Sequence, residues 1–281
     1  MKTANDYIRE ASALPPAPKV VAALLPLLDQ EDIDASRIVE LVAIEPALTA
    51  KLLQDCNSVS AGLKQPVHDL AEAVVRLGFN DIYRRVISIV SQGALSSEQG
   101  GYGIAAGELW VHSAASALAA KVLAQNMGAN ESLVFTAALL HDIGKIVLSK
   151  SLERSYAAII AQTETNGCSW IEAERQLLEV DHCEVGGKLL EKWNFPANLV
   201  TAVRHHHDPA AAHPHHQLAA FVHLGDVIAH LMGFGFGHAA YAVRPQPEAL
   251  RILELTQRDI EALVLEADAA IRKASWLKLM V

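Results

Sequence analysis

An all-α, two-lobed helical bundle is the fold class the sequence predicts, and three observations predict it. The 281-residue chain is 51% hydrophobic but only 5% aromatic, and it is very rich in Ala and Leu, a composition that favours helices over sheets. Turn residues punctuate it at intervals of about 10 to 15 residues, between runs with helical apolar spacing. No stretch alternates apolar and polar residues as a half-buried strand does.

Each element follows from local signals. Residues 1–13 read as a short helix or tail, and Leu14-Pro15-Pro16-Ala17-Pro18 as a rigid extended stop. An amphipathic helix over 19–28 contains Pro26, so it is kinked or shortened. Helix 34–42 begins at the N-cap candidate Asp34, and Glu45-Pro46 breaks it. Pro46 suits the first turn of the next helix, 47–56. Helices over 69–77, with Gly78 as C-terminal cap, and 80–90, with Asn80 as N-cap, complete a first lobe. Ser91–Gly103, rich in Gly and Ser, reads as a flexible joint. The expected division is a first lobe over 1–95, a second over 104–232 and an extension over 233–281. In the second lobe, helices are expected over 108–127, from the cap Asn130 to His141, and over 149–163, 169–180, 197–206 and 217–232. The extension is a helical stretch over 248–279, interrupted by a turn and cap at Thr256–Asp259. Its apolar end, Trp276–Val281, suits docking on the core or a homodimer contact.

Composition excludes several function classes. The net charge is −9, where a non-specific DNA binder carries a basic face. Cys56, Cys168 and Cys183 have no regular spacing, which fits a reducing cytoplasm without disulfides. The first residues hold charges and no apolar core, unlike a signal peptide. No apolar run is read as reaching the ~18 to 20 residues of a membrane span. The expected protein is cytoplasmic and membrane-free. No receiver, kinase, cyclase or DNA-binding segment is left over, so its output is expected to pass through partner contact or its own site.

The chemistry centres on His141-Asp142-Ile143-Gly144-Lys145, which closes the apolar run 133–140. A buried Asp is almost always paired or metal-bound. An adjacent imidazole and carboxylate suit a divalent metal, although a core hydrogen bond uses the same pair. Gly144 is expected to end the helix in a left-handed conformation. His112, His182, His206, His207 and Asp226 lie in or beside other apolar segments, and a bundle could bring them together. His205 precedes the pair, and helical phase alone does not say which two of the three point inward. The cluster His213, His215, His216 reads as a solvated loop, and His223 and His230 as neighbours of the site or surface residues.

The order of these residues resembles the HD superfamily of metal-dependent phosphohydrolases. The ligands resemble its HD-GYP branch. Over roughly residues 14–230 the chain is similar to the HDOD family, through Leu14-Pro15-Pro16-Ala17-Pro18, Glu45-Pro46-Ala47-Leu48, Cys56-Asn57-Ser58 and Arg76-Leu77-Gly78. Glu45 stands where that family usually has Asp. The resemblance implies an HD-domain-like core beside an N-terminal HDOD lobe. It implies one metal on His112, His141, Asp142 and Asp226, and a second on Asp142, His182, His206 and His207. It also selects His206 and His207 over His205, and places Lys145 near a substrate phosphate. The metal would be iron, manganese, nickel or zinc, since imidazole and carboxylate ligands do not choose among them.

Pro209-Ala210-Ala211-Ala212 replaces the Gly-Tyr-Pro motif of the HD-GYP branch, which argues against cyclic di-GMP hydrolysis. Two functions therefore compete. The preferred one is a signal-transduction module that acts through a signalling protein partner or a nucleotide ligand. The other is a phosphohydrolase acting on a nucleotide or cyclic nucleotide, with Asp142 and Lys145 as catalytic residues.

Overall fold

The computed structural model describes residues 2–11, 19–29, 35–58, 61, 63, 65–153, 155–160, 168–235 and 245–274. Among these the fold is all-α, with a single isolated bridge between Gln99 and Ile104. The expected stop at 14–18, the Asp34 cap, the end of helix 149–163 and the tail 276–281 lie outside the described residues.

The first lobe holds α2 (Lys19–Leu24), α3 (Ala35–Ala43), α4 (Pro46–Cys56), α5 (Leu70–Leu77) and α6 (Phe79–Leu95), which pack on one another. Pro26 has the expected effect: α2 stops at Leu24 and continues as a 3-10 turn, Leu25–Asp29. Pro46 opens α4, and the Asp69 side chain caps α5 by accepting from the Glu72 amide. Gly78, at φ +80°, ends α5 and begins α6, so the cap expected of Asn80 falls two residues earlier. The stretch preceding this lobe behaves differently. α1 (Ala4–Glu10) packs on the later helices Lys145–Leu152 and His182–Lys192, and its Tyr7 hydroxyl donates to the Leu178 carbonyl at 3.3 Å.

The expected flexible joint is corrected. Ser91–Leu95 continue α6, and Gly100–Tyr102 form a 3-10 turn with Tyr102 buried. This segment is pinned because the Gly101 amide bonds Ser149 Oγ and the Tyr102 hydroxyl donates to Glu174. Gly and Ser here serve close packing: a Cβ on Gly101 would lie 1.9 Å from the Ser149 carbonyl oxygen.

α7 (Glu108–Asn126) is the axis of the second lobe and packs against α6, α8 (Glu131–Leu140), α13 (His216–Leu231) and α15 (Gln257–Lys273). Its small side chains allow close approach. A Cβ on Gly225 of α13 would lie 2.6 Å from Ala120 Cβ and 2.7 Å from the Ser116 oxygen of α7. α9 (Lys145–Leu152), α10 (Trp170–Leu178), α11 (His182–Lys192) and α12 (Ala197–Arg204) follow, with α11 packed on α9 and α12, and α12 on α8 and α13, and α14 (Pro247–Ile252) leads to α15. The single helix expected over 149–163 is broken after Leu152, with 156–160 helical again.

The expectation that no apolar run is long enough for a membrane is also corrected. Glu131–Leu152 spans 22 residues with mean hydropathy 1.4, and it is 83% buried among the other helices. The run is the core of the second lobe.

Candidate metal centre

All seven candidate ligands meet at the inner face of the second lobe. α7 brings His112, the turn after α8 brings His141 and Asp142, and α13 brings Asp226. His182 opens α11, its amide end fixed by the Asp181 cap, and His206 and His207 follow α12. His112, His141, Asp142, His182, His206 and Asp226 are each no more than 2% exposed, and His207 is half-buried.

The two carboxylates sit among imidazole nitrogens. Asp226 Oδ1 lies 3.1 Å from His112 Nε2 and 3.7 Å from His141 Nε2. Asp142 Oδ2 lies 3.4 Å from His141 Nε2 and 3.7 Å from His112 Nε2, while Asp142 Oδ1 lies 3.4 Å from His182 Nε2. Asp142 therefore faces both groups, the one around His112, His141 and Asp226 and the one around His182, His206 and His207. Ligand atoms of His182, Cys183, His206 and His207 all fall within 4.8 Å of one another, as do those of His112, His141 and Asp226.

The rings are oriented by their other nitrogens. Nδ1 faces the Ala138 carbonyl in His141 (2.7 Å), the Val203 carbonyl in His206 (2.8 Å) and the Phe234 carbonyl in His112 (3.1 Å). In His182 it faces Glu174 at 2.8 Å. Oxygen acceptors on that side favour a proton on Nδ1, which leaves the Nε2 of each ring toward the centre. Asp142 Oδ1 is buried with no aligned hydrogen-bond donor, an arrangement that is costly unless a cation satisfies it.

Electrostatics agree with a cation site. Burial, reinforced by His207 and His141, holds His206 well below the usual imidazole range. Burial and His182 do the same for His207. Both rings are thus neutral at pH 7, the form that binds metal. Burial pushes Asp142 up, but His141 and Lys145 outweigh it and hold the carboxyl well below the usual range. Burial alone would lower His141, and Asp142 draws it upward instead. A bound cation would replace the proton there.

Several features differ from the sequence reading. Gly144 has φ −65° and is right-handed; it is needed for space, because a Cβ would lie 2.0 Å from the His182 carbonyl oxygen. Lys145 is buried, and its Nζ sits 2.6 Å from Asp142 Oδ2. Cys183, adjacent in sequence to His182, puts Sγ 3.5 Å from His182 Nε2 and 3.8 Å from His206 Nε2. Burial, then Asp181, pushes its thiol well up, so it is a poorer donor than the imidazoles. His230, one turn after Asp226, lies 3.4 Å from Asp226 Oδ1. His223 spends both nitrogens elsewhere, Nδ1 on the His206 carbonyl and Nε2 on the Gln246 amide.

Sequence reasoning missed Glu174. It is fully buried and accepts from the His182 amide (2.7 Å), His182 Nδ1 and the Tyr102 hydroxyl (2.7 Å). The signal was a carboxylate on the apolar face of α10, one helical turn after Trp170 and before Leu178. Glu174→Gln is expected to lower metal affinity about 10- to 100-fold by loosening His182. Competition against a metallochromic indicator measures it, and unchanged affinity would show that His182 orientation is immaterial.

Comparison with known proteins places this architecture. A model of the HDOD domain family matches residues 14–209. The chain belongs to the HDOD family. An uncharacterized protein of Treponema pallidum (strain Nichols) is 26% identical in an alignment of 219 residues that covers 74% of this HDOD chain but 40% of the relative. The chain therefore spans two-fifths of the length of that curated relative. Three solved structures share the HDOD fold. An HDOD domain protein of unknown function from Geobacter sulfurreducens superposes with a TM-score of 0.77 at 22% identity, covering 99% of this chain and 97% of that one. A protein of Shewanella amazonensis SB2B, provisionally named a phosphohydrolase, gives 0.71 at 23% identity, covering 96% and 97%. A Marinobacter aquaeolei VT8 protein, provisionally named for signal transduction, gives 0.75 at 21% identity, covering 98% and 66%.

Proposed function

We propose that this HDOD chain is a cytoplasmic signal-transduction module built around a divalent metal centre. One observation carries the metal: four imidazoles, each held through Nδ1, gather around two buried carboxylates. His112, His141, Asp142 and Asp226 would hold one ion and Asp142, His182, His206 and His207 a second, with Asp142 shared. The signalling role is supported by Lys145. The ammonium that a phosphate ligand would need is already bound to Asp142, inside a site whose side chains are almost wholly buried.

Phosphohydrolase activity is the second reading, favoured by the partial exposure of His207, which gives the cluster one edge open to solvent. A bound divalent ion would polarise a phosphoryl oxygen and lower the pKa of a coordinated water. Asp142 would orient the nucleophile, and Lys145, released from Asp142, would offset charge on the phosphate.

Metal analysis of untagged protein tests both, followed by assays of bis(p-nitrophenyl) phosphate, nucleotides and cyclic nucleotides. Bound metal without turnover is expected for the module. Turnover that disappears in Asp142→Ala would establish the enzyme. Absence of metal after reconstitution with iron, manganese, nickel or zinc would overturn both.

A further inference from the structure

A second site lies on the other side of α7. The first-lobe helices α4 and α6 meet α7 and α8 around a cavity of about 480 Å³, within the size range of small-molecule sites. Trp110, Leu118 and Lys121 of α7 line it. Trp110 and His112 are two residues apart on one helix, so they point to roughly opposite faces. The cavity and the metal centre thus share α7 without sharing a residue.

Four cations line the cavity: Lys51, Arg84, Arg85 and Lys121. Its two carboxylates bind Arg85 most closely, since Arg85 Nε meets Asp81 at 2.6 Å and Nη1 meets Asp55. Arg84 has only longer contacts, 3.6 Å to Asp81 and 3.3 Å to Ser132 Oγ. Lys121 lies 3.7 Å from Glu131. In a chain of net charge −9, this is a local cationic excess. Burial, and next the nearby Arg84, hold the Lys121 ammonium below its ordinary pKa, as expected where cations crowd without sufficient counter-charge. The floor is apolar, made by Trp110, Leu118, Phe135 and Ile89, while Gln54 and Gln92 supply amides on the walls.

We infer that this interlobe cavity binds a mononucleotide, its phosphate on Arg84 and Lys121 and its base over the apolar floor. A bare inorganic anion would leave that apolar lining unused, and a purely apolar ligand would leave the cationic excess without further counter-charge. Bound there, the ligand would touch both lobes and α7, the helix that carries His112.

Calorimetric titration of untagged protein with AMP, GMP, CMP and UMP, beside inorganic phosphate, tests this. At least one nucleotide is expected to bind more tightly than phosphate. Lys121→Gln is expected to weaken it about 10- to 100-fold, the loss of a charge-assisted contact, and Arg84→Gln similarly. EDTA is expected to leave the affinity unchanged. Circular dichroism checks that each variant is folded, and the half-buried Lys121, whose ion pair is a 3.7 Å contact with Glu131, carries the test if Arg84→Gln does not fold. No nucleotide exceeding phosphate, affinity indifferent to Lys121→Gln, or binding abolished by EDTA would each overturn the assignment.

Discussion

Gly144→Ala is expected to be among the most damaging single-methyl additions in this chain. The new Cβ would lie 2.0 Å from the His182 carbonyl oxygen, 2.8 Å from the His182 carbonyl carbon and 2.8 Å from the Gly186 amide nitrogen. All three are backbone atoms of α11, so no side-chain rotation relieves the clash. Gly144 itself has helical φ, so alanine suits its conformation and the effect is one of space alone. Overpacking of this kind costs about 1–3 kcal/mol, and more when the neighbour is backbone. At about 2–4 °C per kcal/mol, the scale for domains of roughly 150–250 residues, the melting temperature should fall by roughly 6–12 °C at the upper end. His141 and Asp142 would move away from His182, and metal retention should fall with it. Gly93→Ala is the control. It lies within α6 with open space around its Cβ, and alanine there should be neutral or stabilising by about 0.5–1 kcal/mol. Equal melting temperatures for the two variants, measured by calorimetry, would refute the close contact.

Asp142→Ala should abolish metal binding and destabilise the metal-free protein as well. The carboxylate neutralises the buried Lys145 at 2.6 Å and faces His141 and His182 at 3.4 Å. Removing one partner of a buried ion pair costs about 3–5 kcal/mol, because the other charge is left without compensation. Adding Lys145→Met should recover much of the stability and none of the metal. Calorimetry and metal analysis on the single and double variants separate the two roles. A double variant that regained metal would remove Asp142 from the ligand set, and a single variant as stable as the parent would remove the ion pair from the stability account.

The sequence made the site's chemistry legible because metal ligation demands particular residue types, and His and Asp stand out against an Ala- and Leu-rich background. Capping was readable for the same reason at two helices: Asn130 and Thr256 accept from the amides of Leu133 and Asp259. What escaped was set by tertiary contact. Ser91–Gly103 carries loop composition, yet its small residues admit Ser149 and Tyr156 at close range. Gly144 looked like a cap because a capping glycine and a contact glycine are identical in sequence. Glu174 resembled any exposed helix carboxylate until His182 and Tyr102 were seen to meet it. The pairing of each Nδ1 with a particular carbonyl is likewise a property of helix ends in three dimensions.

The close seating of Gly225 against Ala120 and Ser116 bears on how the chain reaches this state. All-helical proteins usually fold quickly because their contacts are local. Here the central pair, α7 and α13, is separated by roughly a hundred residues of sequence, and neither helix buries its face without the other. Closing so long an intervening loop carries an entropic penalty before any contact compensates it. The candidate ligands His112 and Asp226 sit on these same two helices, so the cluster is complete only once that long-range pair has formed.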